Sequence, residues 1–325
     1  MGLKVALVGL GMMGRNHARV LKSLDGVTLV GIVDSISTEN SFNTEILNSI
    51  QELDLHNVDY CVVATPTATH ETIANYFLEN RIPVFIEKPI AHNVEAAERI
   101  VKTAKEFNAT CGVGHIERFN AALQEAKRYL DSGFLGKIHQ ISTCRQGPFP
   151  ARISDVGVVK DLATHDIDLT RWLVESNYKS ASANVAYITG RKYEDLLIAT
   201  GEMENGVIVN HVVNWVSPLK ERKAVITGER GTFVVDTITS ELVFYENGSQ
   251  AVENDFLAQF KGMTQGNVIS FAFPKPEALL TEHQNFRDAI LGKSKNFVTM
   301  EEGLENLRVA EAFLSSALAK EVVYL

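Results

Sequence analysis

The sequence has little cysteine: Cys61, Cys111 and Cys144 are three among 325 residues, and no two of them form a C-x-x-C pair. That excludes a disulfide framework and leaves no zinc or thiol-redox motif, so no metal is expected. Cys61 and Cys111 lie in apolar, strand-like runs where cysteine acts as a small hydrophobe. A reducing cytoplasm is the expected compartment. No apolar run reaches the ~18 residues that a membrane helix needs. A first strand expected from residue 3 leaves no room for a secretory leader. Positive charge is also scarce, with 31 Lys and Arg against 40 Asp and Glu and a net charge of −9. This argues against a nucleic-acid-binding surface, so any anionic ligand must be held by local arginines or backbone amides. There is no Pro/Gly/Ser-rich linker, internal repeat or low-complexity segment. What remains is ordinary: 45% apolar and 22% charged residues and a mean hydropathy of −0.01. The length suffices for two cores.

The first motif opens the chain. Residues 3–8, Leu-Lys-Val-Ala-Leu-Val, are nearly all apolar, as expected of a parallel strand buried on both faces. Gly9-Leu10-Gly11-Met12-Met13-Gly14 follows and fits G-x-G-x-x-G. Its first glycine permits a tight turn, its second lets backbone approach a pyrophosphate, and its third allows close helix–strand packing. Residues 15–24 have helical composition, and the amides and dipole of that helix would face phosphate. A second strand, residues 27–33, ends in Asp34, 20 residues after Gly14. That is the separation of a carboxylate that binds the adenosine ribose. Strand, glycines, helix, strand and acid in this order predict a dinucleotide site. Asp34 would repel a 2′-phosphate, which favours NAD, while Ser35 and Ser37 leave NADP possible.

Alternation continues through the first third. Strands are expected at 58–64, 83–86 and 110–114, and helices at 68–79 and from Asn93, as N-cap, to 107. Residues 44–52 are expected to form one small helix between loops. This pattern predicts a parallel sheet with helices on both faces.

The pattern then changes. A helix at 119–130 precedes strand-like runs at 137–145, 181–190, 196–203, 207–216, 223–227 and 232–236, and Asn205-Gly206 marks a hairpin. The predicted fold class is α/β, with an N-terminal dinucleotide-binding domain (1–117) and a C-terminal α/β domain (118–276) carrying a large open mixed or antiparallel sheet. The helices expected within 277–325 are predicted to pack back on the first domain.

Two constellations carry chemistry. Glu87-Lys88-Pro89 closes the strand at 83–86. Ligands of open α/β sheets bind outside the carboxyl ends of the strands. A lysine there can polarise an alcohol that is losing a hydride, where alone it would read as an ordinary strand-end residue. The proline restricts Lys88 to extended conformations. Asp161 and His165 are four residues apart, which on a helix places them on one face. An imidazole with an unperturbed pKa of ~6.5 is a natural general base, and Asp161 could orient it or bind a substrate hydroxyl. Asp168, Arg171 and Trp172 read as structural.

With these landmarks the chain resembles the glucose–fructose oxidoreductase/inositol dehydrogenase/MocA (Gfo/Idh/MocA) family over essentially its whole length. The resemblance rests on Gly9 to Gly14, Thr65-Pro66-Thr67-Ala68-Thr69-His70, Glu87-Lys88-Pro89, and Asp161 with His165. It implies a Rossmann domain followed by an α/β domain whose open sheet serves oligomerisation, so a homodimer or homotetramer is expected. It implies that Thr65, Pro66, His70 and Glu87 approach the nicotinamide half of the cofactor, and that Lys88, Asp161 and His165 form the catalytic group. The stretch after Asp34 is shorter than the family pattern, and adenine-side contacts are not carried over.

Two further stretches, Gly114 to Asn120 and Gly147 to Gly157, are similar to the UDP-N-acetylglucosamine 3-dehydrogenase-like branch of that family. Arg118, Arg145 and Arg152 have the forked donors that suit a diphosphate, and Asn120 lies beside Arg118. The expected activity is oxidation of a secondary sugar hydroxyl, most simply on a UDP-sugar. A free sugar or inositol is the alternative substrate. A non-catalytic NAD sensor is the alternative of another kind, and it could dispense with Lys88 or His165, both of which are kept.

Overall fold

The computed structural model describes residues 2–37, 41–149, 156–248 and 264–325. It divides into two compact units, Met1–Phe119 with Pro276–Arg308, and Asn120–Lys275 with Val309–Leu325.

The first unit is built on six parallel strands: β1 (Leu3–Val8), β2 (Val27–Val33), β3 (Ile46–Leu47), β4 (Tyr60–Val63), β5 (Val84–Glu87) and β6 (Gly112–Gly114), in the order β3-β2-β1-β4-β5-β6. This is the order of the Rossmann sheet. Helices α1 (Met12–Ser23), α2 (His70–Glu79) and α3 (Val94–Glu106) make the crossovers. In α3, Asn93 accepts the Ala96 amide through Oδ1 at 2.9 Å. Ala96, Ala97, Ile100, Val101 and Ala104 form its buried stripe, the spacing of a one-sided helix.

One expectation fails here. Residues 44–52 are not a single helix: Ile46 and Leu47 pair with Ile32 and Val33, and only Ile50–Glu52 coil, as a 3-10 turn capped by Ser49. Two adjacent apolar residues bury better against a sheet edge than on one helix face, which needs them three or four apart.

The second unit opens with α4 (Ala121–Asp131) and β7 (Ile138–Pro148). Then come α5 (Thr164–Val174), β8 (Tyr178–Ala186), β9 (Leu196–Met203), β10 (Ile208–Asn214), β11 (Val216–Gly228), β12 (Gly231–Asp236), β13 (Glu241–Gly248) and β14 (Thr264–Ser270). The chain continues through α6 (Ala278–Ile290), α7 (Met300–Ala319) and β15 (Val323–Tyr324). Nine strands join in the order β14-β13-β12-β11-β7-β10-β9-β8-β15. The sheet is mixed, because β7 and β10 are parallel and the other pairs antiparallel. The Asn205-Gly206 turn joins β9 to β10, with Gly206 at φ 84°. Burial alternates along β9 and β12, so one face is core and the other carries exposed Ile198, Ile208 and Tyr245.

Strands β13, β14 and β15 lie outside the runs expected from sequence. In α7, Leu304 and Leu307 belong to a core with Val113 and Val298, while Val309, Ala310 and Phe313 belong to one with Ile167 and Val209. Residues 309–325 therefore group with the second unit, not with the first. Among the described residues no helix is long and apolar enough to cross a membrane.

Candidate functional site

In the first unit the glycine loop has the shape a dinucleotide needs. A Cβ on Gly9, at φ 98°, would lie 2.5 Å from the Ala64 carbonyl oxygen, and one on Gly14 would lie 2.0 Å from that of Gly9. A Cβ on Gly11 would meet nothing within 4 Å among the described residues beyond its chain neighbours. Gly11 is also the N-cap of α1, with no side-chain cap and no acid in the first turn. Met12 and Met13 open that turn, Met12 being exposed. The first-turn amides thus remain available for an anion. At the end of β2, Asp34 accepts the amides of Leu10 at 2.6 Å, Ile36 at 2.9 Å and Ser37 at 2.7 Å. Burial opposes its ionisation, but the amides of Ser37, Leu10 and Ile36 outweigh it and hold the carboxyl below its ordinary value. The donor set fits a dinucleotide: bare backbone and amides for phosphate, and an ionised carboxylate for ribose hydroxyls.

Thr65, Pro66 and His70 follow β4. The His70 ring spans two carbonyls, with Nδ1 3.1 Å from Pro89 O and Nε2 3.0 Å from Thr65 O. Burial pushes its pKa down, while those carbonyls and the Glu87 carboxylate pull the other way. Glu87 ends β5 and Lys88 follows it through a cis peptide to Pro89. Glu87 is buried, and its Oε2 accepts the Lys88 backbone amide at 3.1 Å. Its Oε1 lies 2.8 Å from His17 Nε2. Burial would raise the Glu87 carboxyl, but His17, Lys88 and His70 together hold it below its ordinary value.

In the second unit Asp161 and His165 lie on consecutive coils. Asp161 sits in a π-helical turn, Val159–Ala163, which runs into α5, and His165 is in the first turn of α5. Single π turns of this kind occur frequently at functional sites. Both residues are nearly buried, at 8% and 9% exposure. Glu194 holds the start of this segment: its carbonyl accepts the Val158 amide and its Oε1 accepts the Val159 amide, both at 3.0 Å. A Cβ on Gly157 would lie 2.0 Å from that Oε1, so only glycine admits the contact. Behind α5, Thr170 meets the Tyr178 hydroxyl at 2.8 Å, Tyr178 meets His211 Nε2 at 2.7 Å, and His211 Nδ1 meets Thr143 at 2.7 Å.

The expected substrate-binding residues have other partners. Arg145 is buried, with Nε 3.1 and 3.2 Å from the two carboxylate oxygens of Asp166. Arg118 is buried and pairs with Glu302 at 2.8 Å. Asn120 caps α4, accepting the Ala122 amide at 3.0 Å and donating to Thr237 O at 2.9 Å. Arg118, Asn120 and Arg145 are thus each engaged within the protein. Arg152 lies outside the described residues. Sequence reading missed His17, His283, Glu194, Asp166 and His211. Their partners are far off in sequence, and no local spacing signals them.

Two family models match. One, described as an oxidoreductase family with an NAD-binding Rossmann fold, covers residues 3–115. The other, the GFO/IDH/MocA C-terminal domain, covers residues 123–234. A UDP-N-acetylglucosamine 3-dehydrogenase of Acidithiobacillus ferrooxidans is 26% identical over 98% of this chain and 97% of its own. A scyllo-inositol 2-dehydrogenase (NAD(+)) of Bacillus subtilis is 25% identical over 97% of this chain and 94% of its own. A solved structure of UDP-N-acetylglucosamine 3-dehydrogenase from Acidithiobacillus ferrooxidans superposes with a TM-score of 0.86 at 24% identity, covering 98% of each chain. With a Rossmann sheet, an uncapped glycine-loop helix and a nine-stranded second sheet, this chain belongs to the Gfo/Idh/MocA oxidoreductase family.

Proposed function

We propose that this chain is an NAD-dependent dehydrogenase that oxidises a secondary hydroxyl on a sugar, with a UDP-sugar such as UDP-N-acetylglucosamine, oxidised at C3, as its first candidate substrate. The observation that carries the reading is Lys88. It follows a buried, ionised Glu87 at a strand end, in the same unit as a phosphate-ready helix start. Bound NAD would supply the hydride acceptor. Gly9, Gly11, Met12, Met13, Gly14 and Asp34 would hold its adenosine and pyrophosphate. Thr65, Pro66, His70 and Glu87 would serve its nicotinamide half. Lys88 stabilises the alkoxide that develops as hydride leaves, an electrostatic contribution that grows in a dry site. His165 accepts the hydroxyl proton, and Asp161 orients His165 or holds the sugar. The exposed face of the nine-stranded sheet is the surface for a homodimer or homotetramer.

A free sugar or inositol is the second reading. It is favoured by the engagement of Arg118 and Arg145 with Glu302 and Asp166, which leaves the diphosphate to Arg152 and backbone amides. A panel of UDP-sugars, free sugars and inositols, assayed for NAD reduction, separates the two. The first reading expects a UDP-sugar to turn over, and Arg152→Ala to raise its KM with little change in the KM for NAD. Turnover of only a free sugar or inositol establishes the second. NAD binding without turnover of any member would mark a sensor.

A further inference from the structure

His17 and His283 take no part in the chemistry above, yet both are completely buried. His17 Nδ1 lies 2.7 Å from His283 Nε2, and His17 Nε2 lies 2.8 Å from Glu87 Oε1. The partners assign the protons. A carboxylate only accepts, so His17 Nε2 carries hydrogen. With His17 Nδ1 as acceptor, His283 Nε2 is the donor. His283 Nδ1 is then a lone pair, and among the described residues it is buried without a hydrogen-bond partner. The reverse direction would bury an orphaned N–H instead, the rarer arrangement in proteins. Burial keeps His283 uncharged. The donors therefore point one way, from His283 to His17 to Glu87, and Glu87 Oε2 receives the Lys88 backbone amide. Gly114 on β6 leaves room for the carboxylate, since a Cβ there would sit 3.3 Å from Glu87 Cδ.

We propose that His17 and His283 are positioning residues. They orient the buried Glu87 carboxylate in its ionised form and, through it, fix the peptide that presents Lys88. This rests on the dehydrogenase reading for the importance of Lys88. The groups facing Glu87 are His17 from α1, Lys88 beside it and His70 from α2, with His283 of α6 behind His17. Removing His17 takes away the hydrogen bond that offsets burial, so Glu87 should protonate at higher pH.

The test follows Glu87 directly in the full-length protein without cofactor, by 13C NMR of its carboxyl and by the Lys88 amide shift. In the wild type, Glu87 stays ionised from pH 5 upward. In His17→Leu its midpoint rises by roughly one unit or more, and the Lys88 amide moves with it. His17→Gln, which can still donate near the Nε2 position, stays close to wild type. His283→Met, which leaves the Glu87 bond standing, shifts Glu87 less and serves if His17→Leu does not fold. In turnover, His17→Leu loses about 10- to 100-fold in kcat while the KM for NAD is kept, and it regains rate as pH rises. Equal Glu87 titrations in wild type, His17→Leu and His283→Met would overturn the proposal. So would a flat pH profile with equal losses in His17→Leu and His17→Gln. If the wild type turns over no sugar or polyol, the dehydrogenase reading falls, and the Glu87 titration still decides this one.

Discussion

Arg145 and Asp166 form a buried ion pair, 3.1 Å apart with each side chain 3% exposed, and Asp166 directly follows His165. Arg145 faces inward because β7 alternates, with Ile141, Thr143 and Arg145 on its buried side. Removing one partner of such a pair strands a buried charge at a cost of about 3–5 kcal/mol, whereas replacing both by apolar residues can be neutral. Arg145→Met should lower the unfolding free energy by about that amount in a urea titration. The double change Arg145→Met with Asp166→Leu should recover most of it. Unchanged stability with a raised KM for a UDP-sugar would instead make Arg145 a substrate ligand.

Asp34 should set cofactor choice. A 2′-phosphate beside its carboxylate meets like charge, so kcat/KM should favour NAD over NADP, and Asp34→Ala should narrow that gap roughly tenfold or more. The carboxyl is held below its ordinary value of 3.8 because bonds from Ser37, Leu10 and Ile36 outweigh burial. Its contribution to stability is therefore complete above the unfolded pKa and is lost as pH falls through the lower folded one. Cofactor binding should show no limb from Asp34 at neutral pH. Equal wild-type kcat/KM with the two cofactors would remove this assignment.

Lys88 and His165 should separate in kinetics. Lys88→Ala should lose most of kcat and retain NAD binding, since its interaction strengthens in the transition state. His165→Ala should lose about 10²–10⁴-fold through the missing general base. Near wild-type turnover of His165→Ala across pH 6–9 would refute the proton-transfer role.

His211 should make the second unit acid-sensitive. Burial pushes its pKa down from 6.5 to about 3. The folded imidazole stays neutral while the unfolded one takes up a proton, so stability falls as pH drops below 6.5 and goes on falling towards the folded value. Between pH 7 and 5 the loss from this residue is about 2 kcal/mol. His211→Gln should flatten that part of the pH dependence of the urea midpoint. An unchanged slope would mean that His211 carries a charge in the fold.

The sequence by itself determined what depends on local order. The run of apolar residues into Gly9, the spacing from Gly14 to Asp34, the Asn93 cap and the Asn205-Gly206 turn each act within a few residues or one βαβ unit. Their outcomes follow from backbone sterics and helix-end hydrogen bonding. Thr65, His70 and Glu87-Lys88-Pro89 stand out through the resemblance to the family rather than through local order. Tertiary structure alone decided which polar groups are taken up inside. Arg145 lies in a run, Ile138 to Pro148, whose apolar residues do not alternate, so its inward side was set by the register with Val213 and Arg222 on the neighbouring strands. Its guanidinium then belongs to Asp166, 21 residues on. Arg118 finds Glu302 across 184 residues, and His17 finds Glu87 across 70 and His283 across 266. A buried charge or ring nitrogen must take whichever complementary group the folded chain brings within about 3 Å. That choice is made by packing across the sheets, and no spacing along the chain encodes it.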